Sequence, residues 1–126
     1  MTGTDREIRA LYDFFEKQSK AGEIQALVDG FFTDDAIVTG HLIPIVRGRT
    51  AICGLFEHLH REQENVRIDM IETRHADEEL IYNLADTHSV VRGPQVAVML
   101  RSLCIFRRTN VGLRCEGDFF AMANLR

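Results

Sequence analysis

Apolar residues in the first third of the chain recur at intervals of three and four, which is the spacing of one face of an α-helix. Thr4 and Glu7 stand at the spacing of a capping box, so the pattern predicts an amphipathic helix from there to the AGE of residues 21–23. A second apolar stripe predicts a short helix, ended by the TDD of 33–35. Its members are Ile24, Leu27, Val28, Phe31 and Phe32.

Two strand-like pieces follow, AIVTG and LIPIVRG, and then the helical spacing returns. Thr50 is placed to cap this third helix, and the polar HREQEN segment ends it. The apolar face of the predicted helix contains Ile52, Leu55, Phe56 and Leu59.

From Val66 the period changes to that of strands, which we predict at 66–74, 80–92, 95–108 and 112–122. The connections are short, so neighbouring strands should pair as antiparallel hairpins. A two-residue loop at Gly93-Pro94 would place Asp86 opposite Arg101 and His88 opposite Met99. Helices followed by a curling antiparallel sheet indicate the α+β class.

Composition limits what such a domain can do. The 126 residues fit a single domain spanning 1–126, and the net charge of -4, without a basic block, argues against nucleic-acid binding. No apolar run is long enough for a membrane span, and the first ten residues lack the apolar core of a signal peptide, so we expect a cytoplasmic protein. Three cysteines without a CxxC predict reduced core thiols, and the histidine spacings predict no metal site.

The stretch ADTHSVV carries the most suggestive chemistry, because Asp86 and His88 share one face of a strand. If that face lines a cavity, Asp86 can orient His88 as a general base, and Arg101 can hold Asp86 ionised or bind a developing oxyanion. If it faces water, Asp86 and Arg101 form an ordinary exposed ion pair. The opposite face is also apolar, so one face would line the pocket and the other would serve as a dimer interface.

A set of ordered motifs resembles the SnoaL-like and ketosteroid-isomerase-like proteins of the nuclear transport factor 2 superfamily. The motifs are Gly22-Glu23, residues 32–38, Gly48-Arg49, Ile52 and the DFFAM of 118–122. The resemblance implies a cone-shaped α+β barrel, in which a curved antiparallel, mixed sheet wraps helices around a deep, apolar pocket. Proteins of this fold include isomerases, dehydratases, cyclases, epoxide hydrolases and non-catalytic binding or assembly domains.

The chain departs from the family's catalytic patterns at three positions. Gly40 stands where ketosteroid isomerases have an Asp base, with His41 as a partial replacement, and Ala121 stands where epoxide hydrolases have an Asp. Phe15 stands at the place of the isomerase oxyanion Tyr, whereas Tyr12 could offer a phenol to a ligand. We predict five ligand contacts in the pocket, which are Tyr12, Phe15, His41, Phe56 and Met99.

Two classes of function remain open at this point. One is an isomerase, cyclase or dehydratase without a cofactor, acting on a small hydrophobic carbonyl or polyketide-like molecule, with His88, Asp86 and Arg101 as its catalytic residues. The other is a non-catalytic pocket protein or assembly domain. A homodimer through the sheet is expected in either case.

Overall fold

The computed structural model describes residues 2–41 and 43–122. Three helices and six strands run through these residues. In chain order they are α1 Gly3–Ala21, α2 Ile24–Phe31, β1 Phe32–Gly40, β2 Ile43–Arg47, α3 Arg49–Glu62, β3 Gln63–His75, β4 Leu80–Val91, β5 Ala97–Thr109 and β6 Gly112–Met122. None of these helices combines the length and the apolar character needed to cross a membrane. The α+β class predicted from the sequence is confirmed.

The starts of two helices differ from the predictions. The capping box of α1 is formed by Thr2 and Asp5, each accepting a hydrogen bond from the backbone of the other, so Thr4 lies inside the helix. Gly48 is the N-cap of α3, and its φ of +85° turns the chain from β2 into the helix. Thr50 is therefore a helical residue and not the cap.

The six strands form one mixed sheet in the order β2-β1-β6-β5-β4-β3. All neighbouring pairs are antiparallel except β1 and β6, which are parallel. The strands β3 to β6 form a continuous meander, because each follows its neighbour through a short connection. The short strands β1 and β2 extend the sheet beyond β6.

The hairpin between β4 and β5 has the predicted pairing but a longer loop. Asp86 is opposite Arg101 and His88 is opposite Met99, as predicted. The loop contains four residues, 92–95, since the Val91 N–H donates to the Val96 carbonyl at 2.8 Å. Gly93 and Gln95 both adopt positive φ, of 85° and 60°, which lets the wider loop keep the same register.

One face of the sheet packs against the helices. On β4 this inner face carries Ile81, Asn83 and Ala85, all buried. The core at this end is aromatic, with Phe31 in ring contact with Tyr12 and Phe106 at centroid distances of 6.0 and 5.8 Å. The three cysteines are free and buried, as predicted.

A β-bulge between β5 and β6 changes which residues of β6 face inward. Ile105 is opposite Gly117 whereas Phe106 is opposite Cys115, so β6 contains one extra residue at this point. Cys115 is buried in the core, and Asp118, three residues further along, also faces inward. Strict alternation would have placed these two side chains on opposite faces.

Candidate active-site cavity

A cavity lies between the inner face of the sheet and the three helices. Its empty volume is about 680 Å³ when the open mouth is included. The cavity walls are mostly apolar, with contributions from Phe15, Ile24, Leu27, Phe56, Leu100 and Phe120. Phe15 and Phe56, two of the residues predicted to contact a ligand, thus lie in the cavity wall.

The polar part of the lining comes from the strands. Thr87 and Ser89 lie on β4, Ser102 on β5 and Asp118 on β6. The Ser89 hydroxyl donates to Gln63 Oε1 at 2.6 Å, so that hydroxyl is already engaged. The ionisable group at this inner strand surface is Asp118.

The carboxyl group of Asp118 is held in an environment that disfavours its charge. Its Oδ1 atom is buried and has no hydrogen-bond partner among the described residues. Burial raises the pKa of Asp118 to about 7, although hydrogen bonding by Cys104 and Ser102 acts in the opposite direction. Near neutral pH this carboxyl group is therefore present both as an acid and as a base, which suits it to proton transfer.

Tyr12 does not line this cavity, contrary to its prediction as a ligand contact. Its side chain is 2% exposed, and its hydroxyl donates to Asn83 Oδ1 at 2.8 Å. The Asn83 amide in turn donates to Thr73 Oγ1 at 3.0 Å and to the Glu72 carbonyl at 3.2 Å. Burial holds the pKa of Tyr12 well above its usual range. The hydroxyl thus belongs to a buried core network.

The end of β1 explains why no acidic side chain stands at position 40. A Cβ atom on Gly40 would lie 2.5 Å from the Phe120 carbonyl oxygen and 2.9 Å from the Phe120 ring. Phe120 therefore fills the space that a base at this position would occupy. His41 is exposed and lies beside Arg101 and Leu103 in a separate surface groove, so the structure does not place it at the cavity as predicted.

The predicted catalytic residues lie on the outer face of the sheet. Asp86 accepts two hydrogen bonds from Arg101, at 2.8 and 2.9 Å, and this contact lowers the pKa of Asp86. His88 pairs with Asp69 on β3 at 3.1 Å, not with Asp86. Met99 lies opposite His88 on this same face. Of the two alternatives that the sequence left open for this face, the structure favours the exposed ion pair, because the cavity is lined by the alternate residues of β4, Thr87 and Ser89.

The two ionisable residues of the cavity were not identified from the sequence. Asp118 was missed because the bulge in β6 reverses the alternation on which a prediction of its direction depends. His60 belongs to the polar HREQEN segment that was predicted to end the third helix, yet it lines the cavity. An aspartate inside the apolar run GDFFAM was the signal that could have identified the first.

No family model matches the chain, and no curated protein does. Solved structures are similar over nearly the whole length. A ketosteroid isomerase-like protein from Erwinia carotovora atroseptica has a TM-score of 0.80 at 12% identity, covering 99% of this chain and 100% of that one. A nuclear transport factor 2-like protein with a cystatin-like fold from Novosphingobium aromaticivorans has a TM-score of 0.75 at 16% identity, covering 97% and 83%.

A proposed dehydratase of the nuclear transport factor 2-like family from Streptomyces avermitilis has a TM-score of 0.76 at 11% identity, covering 95% of this chain and 96% of that one. At these identities the likeness establishes architecture and not activity. The chain therefore has the nuclear transport factor 2-like, cystatin-like α+β fold, as its sequence motifs indicated.

Proposed function

We propose that this protein is an acid/base enzyme that isomerises or dehydrates a small hydrophobic carbonyl compound, with the Asp118 carboxyl group as the proton-transfer group. The observation that carries the proposal is a carboxyl group in the wall of an apolar cavity, with a buried Oδ1 atom that has no hydrogen-bond partner among the described residues and a pKa raised to about 7. The likeness to a proposed dehydratase supports the same class of reaction.

The reaction would begin with ionised Asp118 taking a proton from the carbon next to the carbonyl group. The electron pair of that C–H bond forms the C=C bond of an enolate while the carbonyl π pair moves onto oxygen, and Thr87, which lines the cavity, would donate its hydroxyl to this oxyanion. As the C=O bond re-forms, Asp118 returns the proton to a different carbon of an unsaturated substrate in an isomerisation. In a dehydration it gives the proton to a β-hydroxyl group, which leaves as water with the electron pair of its C–O bond. The aromatic walls exclude water, which strengthens both interactions.

The test is exchange of substrate α-protons for deuterium, followed by NMR over a panel of hydrophobic ketones. We expect exchange by the wild type to rise with pH through a midpoint near 7. Replacing Asp118→Asn should slow exchange by at least about a hundredfold. Asp35→Asn is the control, since Asp35 is an exposed carboxylate on β1 of the same sheet.

Other outcomes of the exchange assay would favour a different function. Exchange that survives Asp118→Asn but is lost in His88→Gln would place the chemistry at the predicted outer-face residues Asp86, His88 and Arg101. Ketones that bind without any exchange would make the protein a non-catalytic binding domain.

Self-association through the outer face of the sheet is the second part of the proposal. Large apolar side chains are exposed there, including Leu103 at 38% and Phe119 at 40%. Leu103→Glu should shift a sedimenting dimer to a monomer, because a second copy would bury this position. A wild-type chain that sediments as a monomer at all concentrations contradicts the dimer.

A further inference from the structure

A polar depression lies next to the cavity. Three residues, Ser19, His60 and Val66, line both spaces, so the two spaces are adjacent. The depression is completed by Lys20 from the end of α1, Glu64 and Asn65 from β3, and Arg92 from the hairpin loop. The site therefore has an apolar interior and a charged rim.

The charge at this rim is positive, although the chain as a whole carries a net charge of -4. Lys20 and Arg92 contribute two positive charges and Glu64 one negative charge. Lys20 has no ion-pair partner within the described part of the chain. The rim thus keeps one positive charge that the protein itself does not neutralise.

The fold positions the Arg92 side chain but leaves some of its N–H donors without an acceptor among the described contacts. Its Nε donates to the His60 carbonyl at 3.0 Å, which holds the side chain against the end of α3. Its Nη1 lies 3.6 Å from Glu64 Oε2, longer than a hydrogen bond, while Glu64 also accepts from Gln95 at 3.2 Å. Since a guanidinium group has five N–H donors, Arg92 retains donors for a ligand.

The sheet register gives the length of the cavity wall along β4. Ser102, which hydrogen-bonds Asp118, is opposite Ala85 on β4, and Ser89 lies four residues further along the strand toward the hairpin loop that carries Arg92. Four residues of strand span about 13 Å. A ligand that lies along this wall therefore needs an extended apolar body of about this length.

We infer that the ligand of this cavity is an amphiphile whose apolar body enters the interior and whose single carboxylate group is bound at the rim by Lys20 and Arg92. A carboxylate is favoured because its one negative charge matches the one unneutralised positive charge of the rim. This inference builds on the proposed function, because it assigns the class of compound that Asp118 would act on.

The test compares octanoate with octanamide, which have the same shape and differ in charge, by isothermal titration calorimetry. The wild type should bind octanoate about tenfold more tightly than octanamide, as a charge-assisted hydrogen bond predicts. The double variant Lys20→Gln/Arg92→Gln should bind both compounds equally, with octanamide affinity unchanged. Lys17→Gln is the matched control, because Lys17 is an exposed lysine on α1 outside both spaces.

Three results would overturn the inference: octanoate that binds no more tightly than octanamide, a preference that survives the double variant, or no binding of either compound. The assay is independent of catalysis. If the protein prefers octanoate tenfold but catalyses no proton transfer, the carboxylate site is supported and the proposed function fails. If it catalyses proton transfer but shows no preference for octanoate, the proposed function is supported and the carboxylate site fails.

Discussion

Asp118 and Asp86 lie on opposite faces of one sheet, and the largest influence on the carboxyl pKa differs between them, since it is burial at Asp118 and a hydrogen-bonded arginine at Asp86. Asp118 faces the apolar cavity, its Oδ1 atom has no hydrogen-bond partner in the described part of the chain, and burial raises its pKa to about 7. Asp86 faces outward and accepts two hydrogen bonds from Arg101, so its pKa is lowered. The same residue type therefore titrates near neutral pH on one face and is a fixed anion on the other.

The two carboxyl groups also have opposite effects on the free energy of unfolding. A buried carboxyl group opposes folding when it ionises, whereas a carboxylate held by an arginine favours folding only while it is charged. On the inner face, ionisation of Asp118 is therefore opposed by its surroundings. The outer face is a network of satisfied ion pairs around an exposed apolar surface.

The largest expected effect is on the pH dependence of stability at Asp118. The folded-state pKa lies above the ordinary value of 3.8, so the folded protein binds the proton more tightly. The free energy of unfolding should therefore fall as pH rises from about 4 to about 7, by up to about 4 kcal/mol from this group. In Asp118→Asn this decline should disappear, as urea unfolding followed by circular dichroism would measure.

The control is Asp86→Asn, for which the sign is opposite. Because the folded pKa of Asp86 is lowered, its contribution is present above the unfolded pKa near 3.8 and is lost as pH falls through the folded value. Wild-type and Asp118→Asn curves that run parallel from pH 4 to 8 would contradict a buried carboxyl group at Asp118.

The second largest expected effect is the loss of stability when a tyrosine hydroxyl is removed. The chain has two tyrosines to compare, Tyr12 in the inner core and Tyr82 on the outer face. Tyr12→Phe should lower the free energy of unfolding by about 1–3 kcal/mol, because it leaves Asn83 Oδ1 buried without its donor. Tyr82 is 36% exposed, so Tyr82→Phe should change stability by less than about 0.5 kcal/mol. Equal effects from the two substitutions would show that the Tyr12 hydroxyl is not a structural donor.

The sequence predicted the architecture and the pairing of β4 with β5 because both follow from local patterns. Short loops make neighbouring strands antiparallel, and one residue pair fixes the register of a whole hairpin. The predicted pairing of Asp86 with Arg101 is therefore correct, although the loop has four residues and not the predicted two. Of the aromatic wall residues, Phe56 belongs to the predicted apolar face of its helix, whereas Phe15 was singled out by the family resemblance.

The direction of the side chains could not be predicted in the same way. Both faces of β4 mix apolar and polar residues, and the buried face turned out to carry Asn83, Thr87 and Ser89, which hydropathy alone assigns to water. The inward direction of Asp118 depends on the bulge between β5 and β6, whose position strand alternation does not predict, and the aspartate within GDFFAM is a weak local sign of it.

The smallest expected effect is the coupling between Asp86 and Arg101, measured by a double-mutant cycle with Asp86→Asn and Arg101→Gln. The Arg101 side chain is 51% exposed, so water and ions screen the pair, and the coupling should be weaker than the Tyr12 effect and should decrease further as salt is added. A strong coupling that salt does not change would mean that this face is dry in solution. Since Leu103 and Phe119 lie on the same face, a second copy of the chain would then cover that face. Both faces of the sheet would be buried in the dimer, and they would differ in that the carboxylate of Asp86 is paired with an arginine whereas Asp118 is not.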